Sequence, residues 1–158
     1  MYHIPVMLNE CIEGLQIKPD GIYVDVTFGG GGHSKKILEN LHENGKLFAF
    51  DVDDDAKRNI PNDKRFTLIQ SNYRHLKRFL KLHNITKVNG ILADFGISSH
   101  QIDEPSRGFA TRFDAPLDMR MNAKEGMSAK EIVNTYSAEQ LQHILGFYGE
   151  VINAKTLS

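Results

Sequence analysis

Three aspartates, a run of glycines and one histidine are the residues of this chain whose types and spacing point to chemistry. The run Val24-Asp-Val-Thr-Phe-Gly-Gly-Gly-Gly-His-Ser34 holds Asp25, four consecutive glycines and His33. Asp51 lies 22 residues past Gly29, and Asp94 closes a later apolar stretch. Each glycine costs a regular element about 0.5–1 kcal/mol relative to alanine, so four together serve a tight turn that a ligand can approach closely. A carboxylate about twenty residues beyond such a turn suits a ribose, because its two oxygens can accept both hydroxyls. Further acids nearby favour a positive charge on the same ligand. S-adenosylmethionine, with an adenosine, a sulfonium and an ammonium, meets all three demands.

Other chemistries fail on spacing. A phosphate-binding loop requires Gly-x4-Gly-Lys-Ser/Thr, whereas Gly32 is followed by His33. The dinucleotide pattern Gly-x-Gly-x-x-Gly/Ala, counted from Gly29, ends on Ser34. That disfavours an NAD-dependent oxidoreductase, which stays as the second reading. No Gly-x-Ser-x-Gly and no metal-type Cys/His spacing occur, so no metal is expected. His33 and His100 stand singly, and a lone histidine is more often structural than catalytic.

The elements that must position these residues follow from periodicity. Leu8, Cys11, Ile12 and Leu15 predict a helix within Val6–Leu15. Strands are expected at Ile22–Val26, Lys46–Val52, Phe66–Gln70 and Val88–Phe95, with helical stretches at Ser34–Leu41, after Asp53 and at Tyr73–Leu82. Pro61 ends the middle one. This alternation predicts an α/β fold, a parallel sheet with right-handed crossovers and a ligand at the carboxyl ends of the strands. Those ends supply Asp25, Asp51, Asn72-Tyr73 and Asp94.

Residues 96–127 lack periodicity, and a loop of that length is usually functional or inserted. Two capping boxes, Ser128-Ala-Lys-Glu131 and Ser137-Ala-Glu-Gln140, then announce helices. The expected division is an α/β core over 1–104 and an aperiodic loop with the start of a helical subdomain over 105–158.

Composition narrows the class. With 158 residues and 41% hydrophobic content the chain can bury one real core. It has one cysteine, Cys11, and no apolar run of about 18 residues, so neither a disulfide framework nor a membrane span is expected. Met1-Tyr-His-Ile-Pro lacks the basic and apolar stretches of a signal peptide, and a cytoplasmic location is the expectation. Net charge is −1, yet Lys57 to Lys87 holds nine Lys/Arg against the single acid Asp63. That run suits a phosphate-facing patch or a solvated helix face.

Taken in order, seven runs make the chain recognisable. They are His3-Ile-Pro-Val-Met-Leu-Asn-Glu10, Asp25–Ser34, Asp51-Val-Asp53, Asp94-Phe-Gly-Ile-Ser-Ser-His-Gln101, Arg107-Gly-Phe109, Pro116-Leu-Asp-Met-Arg-Met121 and Tyr148-Gly-Glu150. Together they resemble the bacterial 16S ribosomal RNA cytosine-N4-methyltransferase family, called RsmH or MraW, from His3 to about Ala154. One departure is His100, where many relatives carry proline.

The resemblance implies a class I S-adenosylmethionine-dependent methyltransferase: a Rossmann-like sheet followed by the start of a helical insert. It implies methylation of a cytidine N4 amine in 16S ribosomal RNA of the small subunit. Matching cofactor residues are Gly31, Gly32, His33, Asp51, Tyr73, Asp94 and Gln101. Asp94 is also the candidate catalytic group, and Ser98, Ser99, Arg107 and Arg120 are candidates for the RNA. Arg112 is a further basic candidate in the same loop. The arginines can equally pair with Asp103, Asp114 or Asp118. Relatives carry further strands beyond the insert, so a truncated cofactor-binding fragment without full activity is an alternative expectation. Strand four is then an apolar edge through which a second copy is expected to pair.

Overall fold

The computed structural model describes residues 5–158; His3 and Ile4 of the first run lie outside the described residues. The first elements are helix α1 (Leu8–Leu15), strand β1 (Ile22–Asp25), helix α2 (Gly32–Glu39) and strand β2 (Lys46–Asp51). A 3-10 turn at Asp54–Asn59 leads to β3 (Phe66–Gln70), and a second at Tyr73–His75 leads to α3 (Leu76–Leu82) and β4 (Gly90–Leu92). The strands form one parallel sheet in the order β3-β2-β1-β4. The α/β expectation is therefore met.

Alternation along the strands sends neighbouring residues to opposite faces of the sheet. Val24, Val26, Phe48, Phe50 and Ile69 pack with Leu80 of α3 and with Ile85. Tyr23, Leu47 and Leu92 pack with Ile37 and Leu38 of α2 and with Leu41, and α1 adds Cys11, Ile12 and Leu15. Covered on both sides, the strands read as near-continuous apolar runs.

Several boundaries differ from expectation. β4 is three residues long rather than spanning Val88–Phe95. It ends because the Asp94 amide donates to the Thr27 hydroxyl, at 2.7 Å, instead of to a strand carbonyl. The stretch before Pro61 is a 3-10 turn, capped by Asp53, which accepts the Asp55 N–H. Tyr73 likewise opens a 3-10 turn, capped by Asn72, and not α3 itself.

The chain divides into two compact units, the first ending at Ser99 in sequence and the second being His100–Ser158. Helix α4 (Ser99–Asp103) and a 3-10 turn at Pro105–Arg107 interrupt the stretch expected to be aperiodic. The turn forms because Glu104 caps it through the Ser106 N–H, with Pro105 in its first position. Both capping boxes are present, at α5 (Ala129–Thr135) and α6 (Ala138–His143). Helix α6 runs on into a π-helical turn, Ile144–Tyr148, closed by Gly149 N–H to Ile144 O at 3.2 Å. Helix α7 (Ala154–Leu157) follows. Among the described residues no helix is long and apolar enough to cross a membrane.

Candidate functional site

The glycine turn is held from below by a buried acid. Asp25, 1% exposed, accepts the Ser34 hydroxyl at 2.7 Å and the Thr27 N–H at 3.0 Å. Burial pushes its carboxyl above the ordinary value, and the hydrogen bonds from Ser34 and Thr27 oppose that rise. It is thus an anchor inside the protein, and not one of the acids open to a ligand. A folded-state pKa above the unfolded one means that the folded chain holds the proton more tightly. The stability from this group is complete below the unfolded value and lost as pH rises through the folded one. Asp25→Asn, which keeps one acceptor and cannot ionise, should gain on the parent as pH rises above about 4. Chemical denaturation at pH 4 and pH 7 measures the difference; a gap independent of pH would show that Asp25 folds in its ionised form.

Asp51 holds the upper side of the turn. One carboxylate oxygen accepts the Gly29 N–H at 2.7 Å and the other the Asp53 N–H at 2.9 Å. Asn59 donates to the Gly29 carbonyl at 2.9 Å. Burial raises the Asp51 carboxyl above its ordinary value, the backbone N–H groups of Asp53, Gly29 and Val52 oppose that rise, and the neighbouring Asp53 charge adds to it. The carboxylate keeps acceptor capacity beyond the Gly29 and Asp53 bonds.

His33 and Asp94 come together from separate elements. His33 is buried on the first turn of α2, with Nε2 3.1 Å from the Val6 carbonyl. A carbonyl can only accept, so Nε2 carries hydrogen and Nδ1 of the neutral ring is an acceptor. Nδ1 lies 4.0 Å from Asp94 Oδ2, whose side chain is 44% exposed. Two acceptors facing each other at that distance are satisfied by a proton on Nδ1 or by a cationic donor from outside. Tyr73 and Phe95, 46% and 68% exposed, pack ring to ring with centroids 5.5 Å apart. The sequence reading missed Phe95, Thr27 and Asn59. An aromatic directly after a strand-end acid was the available signal for Phe95; nothing local marked Asn59.

The turn also distinguishes its glycines. Gly31 is buried and caps α2 at φ 76°, while Gly30 is exposed with open space where a Cβ would stand. Gly32 opens α2 itself.

Ser98 and Ser99 are half-buried where α4 begins. In the second unit Gln101 is buried and donates to the Met121 sulfur at 3.4 Å. Arg107, 8% exposed, donates to the carbonyls of Arg120 and Met121 at 2.9 and 3.1 Å, so it braces the loop instead of presenting a surface cation. Arg120 pairs with Asp118 at 2.7 Å, and Arg112 with Asp103. The pairing alternative left open by the sequence is the arrangement found for Arg112 and Arg120. Of the candidate residues, the first unit holds Gly31, Gly32, His33, Asp51, Tyr73, Asp94, Ser98 and Ser99, and the second holds Gln101, Arg107 and Arg120.

The sequence fits the model of the MraW methylase family over residues 1–158. Curated relatives named Ribosomal RNA small subunit methyltransferase H include that of Flavobacterium johnsoniae, 59% identical over 157 residues. Those of Christiangramia forsetii and Cytophaga hutchinsonii are each 58% identical, over 157 and 160 residues. The alignments take in 99–100% of this chain and 52–53% of each relative. The chain thus spans about half the length of the curated relatives it matches.

Proposed function

This chain belongs to the MraW methylase family, and on that premise we propose that residues 1–104 form an S-adenosylmethionine-binding core of class I type. Its target is the exocyclic N4 amine of a cytidine in 16S ribosomal RNA of the small subunit, with 105–158 opening the substrate-recognition part. The observation that carries this reading is the opposed pair of acceptors, His33 Nδ1 and Asp94 Oδ2, 4.0 Å apart beside a glycine turn. An ammonium donates to both. The remaining acceptor capacity of Asp51 serves the ribose hydroxyls, and Tyr73 with Phe95 offers aromatic surface for the adenine.

Bound S-adenosylmethionine supplies an activated methyl group. The chain's own task is positioning, because the cytosine amine is a weak nucleophile whose lone pair is delocalised into the ring. An acceptor on that amine localises the lone pair. The second oxygen of Asp94 and the hydroxyls of Ser98 and Ser99 are the groups for this role. The base must leave its stack to reach them. Strand β4, whose Ile91 is 50% exposed, borders the sheet and is the edge at which a further strand or second copy would pair.

Calorimetry with S-adenosylmethionine, beside methyl transfer to small subunits lacking the modification, tests the proposal. Asp51→Ala should weaken binding by about 1.5–3 kcal/mol, the size of hydrogen bonds to a charged group, or roughly ten- to a hundredfold. It also removes the acceptor of the Gly29 N–H, so affinity is compared well below the variant's melting temperature. Unchanged affinity would take Asp51 out of the site. Absence of binding by the parent chain would overturn the cofactor reading. Binding without transfer would mark this half as a cofactor-binding core alone.

A further inference from the structure

We propose that the solvent face of α3 is a docking surface for the phosphate backbone of RNA, an inference that rests on the ribosomal RNA reading above. From Lys64 to Ala93 the chain has no aspartate or glutamate. That stretch carries Arg74, Lys77, Arg78, Lys81 and Lys87, all exposed or half-buried. Leu76, Phe79 and Leu80 of α3 pack on the core. Lys77, Arg78 and Lys81, at i, i+1 and i+4, occupy the opposite side.

Several basic residues elsewhere on the described chain meet carboxylates, among them Lys36 with Glu39, Lys57 with Asp54, Arg58 with Asp55 and Arg65 with Asp63. Other exposed lysines, such as Lys18, Lys46 and Lys155, stand singly and are not grouped on one helix face. Among the described residues no such pair forms at Lys77, Arg78, Lys81 or Lys87, and Arg74 turns to the His75 ring at 2.9 Å. The arrangement breaks two local rules. Lys77 and Lys81 are like charges four apart, which costs a helix about 0.2–0.5 kcal/mol. Lys77 and Arg78 also sit in the first turn, where the helix dipole disfavours cations. Uncompensated violations of local rules concentrate at functional surfaces.

Position and chemistry select the occupant. Arg74 follows Tyr73 beyond the carboxyl end of β3, so the row starts at the proposed cofactor edge. It runs from there along α3 for about 10 Å, at the helical rise per residue. An RNA with its target base at that edge can lay its flanking backbone along the row. A membrane surface needs an amphipathic helix with its apolar face free, and that face of α3 is already in the core.

The test is the salt dependence of binding to a fluorescein-labelled oligocytidylate RNA. The parent chain is compared with Lys77→Gln/Arg78→Gln/Lys81→Gln and with Lys18→Gln/Lys46→Gln/Lys155→Gln, which changes net charge equally. Each lost phosphate contact should lower the slope of log affinity against log salt by about 0.7 for a single strand. The α3 variant should therefore lose a slope of about 2 and bind tens of times more weakly at low salt, with the charge-matched control near the parent and S-adenosylmethionine binding unchanged in both. An α3 variant with the parent's slope and affinity would overturn the surface and leave the RNA reading standing. A parent that binds no RNA at low salt, or binds only phosphatidylglycerol vesicles, would overturn both.

Discussion

Gly31→Val is expected to abolish S-adenosylmethionine binding. Gly31 adopts φ 76° and ψ 9° as the residue that caps α2. A β-branched side chain is strongly disfavoured there, at a cost of about 1–3 kcal/mol. A Cβ at this place would also stand 3.0 Å from the Phe28 ring and 3.5 Å from the Asn59 carbonyl. Relief of that crowding must move the turn. The turn carries the Gly29 N–H that meets Asp51 and sets the start of α2, where His33 lies. Gly30→Ala separates strain from ligand contact, because its Cβ meets nothing within 4 Å. Loss of binding in Gly30→Ala at unchanged stability would show that the ligand lies against the turn. A folded Gly31→Val chain that binds within about threefold of the parent, a difference well under 1.4 kcal/mol, would show that the turn does not hold the ligand.

Gly108→Ala is expected to disrupt the loop of the second unit more than any single change to its exposed side chains. Gly108 ends the 3-10 turn at φ 70°. A Cβ there would fall 2.4 Å from the Pro116 carbonyl oxygen and 2.6 Å from the Asp118 amide nitrogen. Both atoms are backbone, so no side chain can swing away. The left-handed conformation alone costs about 1–2 kcal/mol for a residue with a Cβ, and the overlap adds to it. The Met119 N–H to Arg107 carbonyl bond, at 3.0 Å, joins the two segments that must part. Hydrogen exchange at the Met119 amide reads the outcome directly. Protection should fall while that of β1 and β2 amides is kept. Unchanged protection at Met119 would mean that the loop accommodates a methyl group, contrary to this geometry.

Much of the fold and the outline of the candidate site were legible because they rest on local rules. Apolar runs between helical patterns specified the parallel sheet, and Ser128-Ala-Lys-Glu131 and Ser137-Ala-Glu-Gln140 marked their helix starts to the residue. Each of these signals acts within a few positions of the chain. The glycine run, by local spacing, and the family resemblance, by seven runs along the chain, picked out the candidate residues. The sequence alone also showed that acids are missing from Lys64 to Ala93. It did not show that Lys77, Arg78 and Lys81 turn outward together, unpaired with carboxylates among the described residues.

Only the tertiary structure decided how deeply each candidate residue is buried and what it bonds to. Asp25, Asp51 and Asp94 read alike as strand-end acids, yet the first is buried under the turn, the second divides itself between two backbone amides, and the third is exposed beside His33. Arg107 and Arg120 read alike as loop cations, yet one is buried against carbonyls and the other is neutralised two residues away. The same holds for β4, whose end is set by a hydroxyl 67 positions earlier. Burial and long-range hydrogen bonds determine the charge, exposure and partner of a polar side chain, and both arise only when distant segments meet.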